Sequence, residues 1–145
     1  MAKFLLIESA TKTCSVGVSE GLNCLSLKEY SGDDYKHSEF LHVFINDIIE
    51  ESQIDWRDLD AVCVSMGPGS YTGLRIGVSA AKGFCFGADL KLIGVSSLQS
   101  LANRAISSYP GYDYYIPMID ARRMEVFTQV FNANSIPINE IEALI

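Results

Sequence analysis

The sequence LDAVCVSMGPGSYTGLRIGVSAAKGFCFG, residues 59–87, contains a strand, a glycine-rich turn and a helix in immediate succession. Apolar and other residues alternate along Leu59–Met66, which predicts a strand. Residues 67–69, Gly-Pro-Gly, then break the pattern, and Ser70 is a suitable N-cap for a helix over residues 70–87. A strand that turns directly into a helix is the first half of a β-α-β crossover, so this stretch predicts an α/β sheet.

The segments on either side give the rest of the element order. Three antiparallel strands are predicted at the start of the chain, from the apolar run Phe4–Ile7 and a hairpin with its turn at Glu20–Asn23. Leu41, Phe44, Ile45 and Ile48 recur at helical spacing inside a predicted helix Ser38–Ser52. After residue 87 we predict the strand Lys91–Val95, the helix Ser96–Ser107, and the strands Tyr114–Ile119 and Val126–Phe131, which are joined by a turn at Asp120–Glu125.

This order predicts a mixed sheet with helices on its faces, which is the ribonuclease-H-like lobe of the actin-like ATPase class. We assign residues 1–107 to this N-terminal lobe and residues 108–145 to the start of a second lobe. The stretch 107–113 between them is polar and contains Pro and Gly. Proteins of this class have a second lobe of similar build, and here the second lobe is expected to be truncated.

The composition limits the function classes. Of the 145 residues, 48% are hydrophobic and 20% are charged, which excludes a disordered chain. The net charge is −7 and the only adjacent basic pair is Arg122-Arg123, which argues against binding nucleic acid without a partner. No uncharged stretch reaches the ~20 apolar residues of a membrane span, and four apolar residues before Glu8 are too few for a signal peptide. We therefore expect a cytoplasmic protein that contacts no membrane.

The cysteines and histidines give no catalytic or metal-binding pattern. The four cysteines, at 14, 24, 63 and 85, form no Cys-x-x-Cys pair, so we interpret all of them as small buried thiols with a structural role. His37 and His42 are five residues apart on a predicted helix, whereas a metal pair needs a spacing near four. Capping and solvent exposure are the better interpretation of the two histidines.

The first candidate site is the turn Glu8-Ser9-Ala10-Thr11 between the first two strands. In actin-like ATPases this turn wraps nucleotide phosphates, with Asp for the metal and Gly for close approach of the backbone. Glu8 and Ala10 stand at those positions here, so we interpret these residues as a degenerate phosphate loop. A turn that satisfies its own backbone with hydroxyl side chains is the favoured interpretation.

The second candidate is the helix that follows Gly67-Pro68-Gly69. Its start could hold an anion, but the pattern is neither a dinucleotide nor a P-loop motif. At 100° per residue, one stripe holds Thr72, Arg75, Ser79 and Lys82, and the opposite side holds Gly73, Gly77, Ala80 and Ala81. Two glycines inside a helix indicate a steric requirement, either from the sheet below or from a partner alongside.

Taken together, four segments resemble the TsaB (YeaZ-like) family, a bacterial component of tRNA threonylcarbamoyladenosine synthesis. They are Glu8–Thr11, Gly67–Gly77, Ala81–Gly83 and Ile119–Arg122. The resemblance implies a two-lobed actin-like fold and a role as the non-catalytic partner of TsaD, which carries the transferase site. It also implies contact with the small ATPase TsaE, a homodimer when alone, and contact with tRNA only through partners.

The same resemblance implies that the chain is not an enzyme. The two metal-binding histidines of TsaD correspond to Ser97 and Leu101, and its second-lobe phosphate-binding glycine falls near Ala121-Arg122. Serine is a poor metal ligand and leucine is none. We therefore expect no catalytic residue, metal or cofactor. The alternative is a stand-alone actin-like nucleotide hydrolase or a metal-dependent glycoprotease-type peptidase.

Two apolar helix faces predict how the chain binds its partner. The apolar arc of the first helix covers nearly half its circumference, which is wider than one sheet face requires. The second helix carries only two charges. The candidate interface is Phe40, Leu41, Phe44, Ile48, Leu74 and Val78. The alternative is that both helices pack only on their own sheet and on each other.

Overall fold

The computed structural model describes residues 1–32 and 36–145. Its helices are α1 (His37–Ser52), α2 (Tyr71–Ala88) and α3 (Ser97–Ser108), with a short 3-10 helix at Trp56–Asp58. Its strands are β1 (Lys3–Glu8), β2 (Cys14–Glu20), β3 (Asn23–Tyr30), β4 (Ala61–Gly67), β5 (Lys91–Ser96), β6 (Tyr114–Tyr115), β7 (Met118–Arg122), β8 (Glu125–Thr128), β9 (Phe131–Asn132) and β10 (Glu142–Leu144). Within the described ranges, no helix has both the length and the apolar character needed to cross a membrane.

Five strands form one sheet, in the order β3-β2-β1-β4-β5. β1 and β2 pair antiparallel with Leu5 opposite Val18, and β2 pairs antiparallel with β3. On its other side β1 pairs in parallel with β4, with Leu6 opposite Cys63. Parallel neighbours need a crossover connection, and between β1 and β4 the connecting segment contains α1. The mixed sheet with flanking helices confirms the predicted ribonuclease-H-like, actin-like fold class.

The first helix covers one face of this sheet. α1 packs on β2 and β3 and lies beside α2. Leu41, Ile45 and Ile48 are buried against core residues of the strands, at the i, i+4, i+7 spacing that predicted the helix. Each of these side chains contributes about 1.5–3 kcal/mol by leaving water.

The second helix approaches the sheet through small residues. Gly73, Gly77, Ala81 and Cys85 are its buried positions, and Ser70 caps it by accepting a hydrogen bond from the Gly73 N–H at 3.2 Å. A Cβ on Gly77 would overlap the Ser9 side chain at the end of β1 and would lie 3.5 Å from Ile7 Cγ2. The steric requirement therefore comes from the chain's own sheet. The stripe of Thr72, Arg75, Ser79 and Lys82, on the opposite side of the helix, is exposed.

The chain forms two compact units, one of residues 1–66 and 70–94 and the other of residues 67–69 and 95–145. The core of the second unit contains Leu98, Ala102, Ile119 and Phe131. Its strands form a sheet of order β10-β8-β7 and a β6-β9 pair. The compact units divide the chain before α3, whereas we predicted the lobe boundary after residue 107. The lobe boundary after residue 107 remains a prediction.

Two predicted strands of the second unit are each divided in the structure. The strand predicted at Tyr114–Ile119 becomes β6 and β7, because Pro117 has no N–H to donate to a neighbouring strand. The strand predicted at Val126–Phe131 becomes β8 and β9, because the Val130 N–H donates to the Asn139 side chain at 2.7 Å. Among these short strands, β10 was not predicted.

The turn predicted at Asp120–Glu125 is tighter than expected. β7 continues to Arg122 and β8 begins at Glu125, and Arg122, Arg123 and Met124 all have positive φ angles. The Asp120 side chain accepts a hydrogen bond from the Arg122 N–H at 2.7 Å, which stabilises this compact turn.

Candidate functional site

The turn between β1 and β2 lies against the start of α2. Ser9 and Ala10 are 0% and 1% exposed, so neither side chain reaches the surface. The Ser70 N–H donates to the Ala10 carbonyl oxygen at 2.6 Å, which ties the turn to the N-cap residue of α2. A Cβ on Gly73 would overlap the Ser9 carbonyl oxygen, so the helix has no room to move closer.

The backbone N–H groups of this turn bind side chains of the chain itself. The Ser9 N–H donates to Ser65 Oγ at 3.2 Å, and the Ala10 N–H donates to Glu8 Oε1 at 2.6 Å. The Thr13 N–H donates to Thr11 Oγ1 at 3.3 Å. The Glu8 carboxylate therefore points at its own turn. These contacts are those of a turn that satisfies its own backbone.

His37 has a structural position that the sequence did not predict. We expected capping and solvent exposure, but His37 is 1% exposed and its Nε2 donates to the Thr11 carbonyl oxygen at 2.8 Å. The glycine at position 73 makes the space, because a Cβ there would lie 3.0 Å from His37 Cδ2. His42 is exposed, as expected, and its ring lies 5.9 Å from the Phe84 ring.

Ser97 and Leu101, which the family resemblance places at the histidine positions of TsaD, lie on α3. Ser97 is buried in the first turn of the helix, and Leu101 is partly exposed one turn later. Ser96 caps the helix by accepting a hydrogen bond from the Gln99 N–H at 3.3 Å. In the part of the chain that the structure describes, no three His, Cys, Asp or Glu side chains are grouped as metal ligands would be.

The six candidate interface residues do not form one surface. Leu41 and Ile48 are 0% exposed, because the first helix turns them into the core, so they cannot contact a partner. Phe40 stacks between Tyr30 and Phe44, at centroid distances of 4.5 and 5.4 Å.

The two candidates on the second helix are also partly buried. Leu74 and Val78 lie about 80–120° around α2 from Phe84, the residue that contacts α1, and Val78 packs on the core. They therefore lie on a different side of α2 from Phe84. The periodicity identified apolar positions, and most of that apolar surface covers the sheet of the same chain.

Other side chains of these helices are exposed. Val43 on α1 is 52% exposed, and Tyr71 and Phe86 on α2 are 74% and 93% exposed. They were missed because they lie off the main apolar stripes. Isolated apolar residues on the polar side of a helix are the signal that could have identified them.

A cleft of about 800 Å³ lies between α1, the 3-10 helix and α2. Trp56 and Phe84 stack in its wall with ring centroids 4.8 Å apart and planes 14° apart. Gly83 and Gly87 also line the cleft, and a Cβ on either would meet no atom within 4 Å. The sequence analysis did not predict this cleft, because it depends on the 3-10 helix, which has no periodic pattern.

The cysteines differ more than the sequence suggested. Cys14 and Cys85 are buried and Cys63 is partly buried, but Cys24 on the edge strand β3 is exposed, which corrects its interpretation as a buried thiol. Burial raises the pKa of the Cys14 thiol to about 11, and it also raises the pKa values of Cys63 and Cys85. These three thiols are poor nucleophiles near neutral pH.

Known proteins resemble this chain in sequence and in fold. The family model for TsaD, tRNA N6-adenosine threonylcarbamoyltransferase, matches residues 34–141. The chain is 34% identical over 125 residues to the tRNA threonylcarbamoyladenosine biosynthesis protein TsaB of Escherichia coli, which covers 86% of this chain and 53% of that protein. It is 32% identical over 127 residues to TsaB of Haemophilus influenzae, covering 87% of this chain and 52% of that protein.

The solved structure of YeaZ from Pseudomonas aeruginosa shares the fold, with a TM-score of 0.87 at 24% identity over 99% of this chain and 67% of that one. The chain spans about half the length of the two TsaB proteins. The sequence identity, the matching family model and the shared fold lead to one conclusion. The chain belongs to the TsaB (YeaZ-like) family.

Proposed function

We propose that this protein is a non-catalytic interaction subunit that binds and supports a TsaD-type transferase in the threonylcarbamoyladenosine modification of tRNA. The family relationship supports the pathway, since the relatives are named for it. The observation that carries the non-catalytic role is the closed β1–β2 turn. The binding role is supported by the exposed apolar side chains of α1 and α2.

The closed turn argues against nucleotide chemistry at the first candidate site. A phosphate needs free N–H groups and room for the backbone to approach it. Here the N–H groups of Ser9 and Ala10 already donate to Ser65 and Glu8, and both residues are buried. The carboxylate of Glu8 would also repel a phosphate. Together these contacts support a degenerate phosphate loop at Glu8–Thr11.

The exposed helix residues support docking of a partner. Val43, Tyr71 and Phe86 point away from the core, and Phe86 is almost fully exposed. The exposed part of α2 also carries Ser79 and Gly83, small residues that allow another helix to approach closely. We name Val43, Tyr71, Phe86, Ser79 and Gly83 the outer helix face. The other predicted interface residues that are not fully buried would lie at the edges of this face: Phe40, Phe44, Leu74 and Val78.

Binding of the transferase subunit is tested by replacing Phe86 with Glu. The variant should fold normally, because the side chain contributes little to the core, and should retain less than a tenth of the wild-type binding to a TsaD-type subunit in a pull-down of purified proteins. Leu22→Glu is the matched control, since Leu22 is also fully exposed but lies in the β2–β3 turn. Equal binding by both variants would exclude the outer helix face.

The remaining parts of the proposal concern the other partners. We propose that the chain pairs with itself through the same face when alone, and that a TsaE-type ATPase contacts the complex. With a net charge of −7, the isolated chain should not shift tRNA in a gel at physiological salt. It should also hydrolyse neither ATP nor peptides. Turnover that purifies with the chain and is lost in a Ser9 or Glu8 variant would refute the non-catalytic role.

A further inference from the structure

The cleft between α1, the 3-10 helix and α2 combines aromatic faces with carboxylates. We propose that this cleft binds a guanidinium group, supplied by the arginine side chain of a docked protein partner. That the guanidinium group comes from a partner protein rests on the proposed docking function. The guanidinium site itself rests only on the geometry of the cleft.

The aromatic wall provides a flat surface for a planar cation. Trp56 and Phe84 are nearly parallel, and the His42 ring, which also lines the cleft, lies 5.9 Å from the Phe84 ring. Gly83 and Gly87 leave open space beside these rings, since no atom lies within 4 Å of a Cβ built on either. A guanidinium group is planar and weakly hydrated, and it stacks on aromatic faces more readily than an ammonium group. The volume of about 800 Å³ easily holds an arginine side chain.

The charges of the cleft favour a cation over an anion. Its lining contains the carboxylates of Asp55 and Asp89 and one guanidinium, that of Arg57. Asp89 is the C-cap of α2, so the negative end of the helix dipole lies at the same place. The last turn of α2 contains no basic residue that would offset it. Asp55 also caps the 3-10 helix, which leaves Asp89 as the carboxylate free of a structural role through its side chain.

The chain has one tryptophan, and it lies in this wall, so its fluorescence reports on the cleft directly. The isolated chain would be titrated with N-acetyl-L-argininamide. We expect a saturable change in the millimolar range. N-acetyl-L-glutaminamide, which is neutral, and sodium acetate should produce no saturable change. Absence of saturation with the arginine compound, or saturation with acetate, would overturn the proposal.

Three variants determine the sign of the charge that is bound. Asp89→Asn should weaken binding about fivefold, the effect of losing one charge near 4 Å in water. Asn is also tolerated at the left-handed backbone angles of this position (φ 53°), so the helix end is retained. Arg57→Gln should strengthen binding, because a like charge is removed. Asp113→Asn, an equal change of charge in the second unit, should have no effect. If Asp89→Asn strengthened binding and Arg57→Gln weakened it, the cleft would be an anion site and the proposal would be overturned.

If Asp89→Asn does not fold, the salt dependence of wild-type binding decides the question. Binding of a cation by this cleft should weaken as salt rises to 0.5 M, and a constant affinity would overturn the proposal. The source of the arginine is tested with Asp89→Asn in the pull-down described above. Reduced capture of the partner supports a partner arginine. Unchanged capture, with the titration still positive, overturns the source and leaves the proposed function intact.

Discussion

The packing of α2 on the sheet is tested most sharply by comparing Gly73→Ala, on the buried side of the helix, with Gly83→Ala, on its exposed side. Both positions are inside the same helix, so alanine gains about 0.5–1 kcal/mol from helix propensity at each. At Gly83 the new methyl group meets no atom within 4 Å, and only this gain remains. At Gly73 it would lie well inside 3.0 Å of the Ser9 carbonyl oxygen and 3.0 Å from His37 Cδ2.

The obstacle at Gly73 is backbone, which cannot rotate out of the way. Overpacking of this kind costs about 1–3 kcal/mol, and we expect the upper part of that range because the Ser9 turn is also tied to Ser70. Gly73→Ala should therefore lower the free energy of unfolding by about 1–2 kcal/mol after the propensity gain, while Gly83→Ala should raise it. Urea unfolding followed by Trp56 fluorescence measures both, because Trp56 lies in the same compact unit.

Ser9→Ala distinguishes the obstacle that a methyl group meets at Gly77 from the one that it meets at Gly73. The Ser9 hydroxyl has no hydrogen-bond partner among the described residues, so its removal alone should have little effect on stability. A methyl group on Gly77 overlaps this hydroxyl but would lie 3.2 Å from Ser9 Cβ, so Ser9→Ala should rescue Gly77→Ala. It should not rescue Gly73→Ala, whose obstacle is the carbonyl oxygen. Our account of the packing is refuted if Gly73→Ala and Gly83→Ala change stability in the same direction, or if Ser9→Ala rescues both buried variants.

Four further predictions test other parts of the structure. Glu8→Ala should lower stability by about 1–2 kcal/mol in urea unfolding, because the Ala10 N–H loses its acceptor, and Glu8→Gln should restore most of it. Phe131→Ala should cost about 3–5 kcal/mol by calorimetry, since Phe131 is fully buried in the second unit, and a loss below 1 kcal/mol would contradict that burial. Iodoacetamide at pH 8 should modify Cys24 first by mass spectrometry. Because the folded pKa of Cys14, about 11, lies above its ordinary value of 9.0, the thiol's contribution to stability should be lost as the pH rises from 9 to 11.

The sequence predicted the secondary structure correctly where a regular pattern of apolar residues or a capping residue determined it. The strand β4, the i, i+4, i+7 stripe of α1 and the N-cap at Ser70 all appear where they were predicted. It failed where a single residue overrode the pattern. Pro117 divides a predicted strand, and the space left by Gly73 draws His37 into the interior.

The candidate interface shows what periodicity alone does not predict. Periodicity identifies the apolar side of a helix, but it does not reveal whether that side covers the chain's own sheet or a partner. Leu41 and Ile48 belong to the first case, since both are fully buried. Phe86, which breaks the pattern of its helix, is among the most exposed side chains of α2. The residues that depart from the periodic pattern are therefore the better candidates for contacts with a partner.

The glycines of α2 show how one helix serves two sites. Gly73 and Gly77 face the Ser9 turn, and their lack of side chains lets the helix press against that turn and keep it closed. Gly83 and Gly87 have the same four-residue spacing but face open space, where they leave room beside Trp56 and Phe84. In an actin-like ATPase the first of these regions holds nucleotide phosphates, and here it is filled by the chain itself. The open cleft lies instead at the other end of the helix, where we propose that a partner's arginine binds.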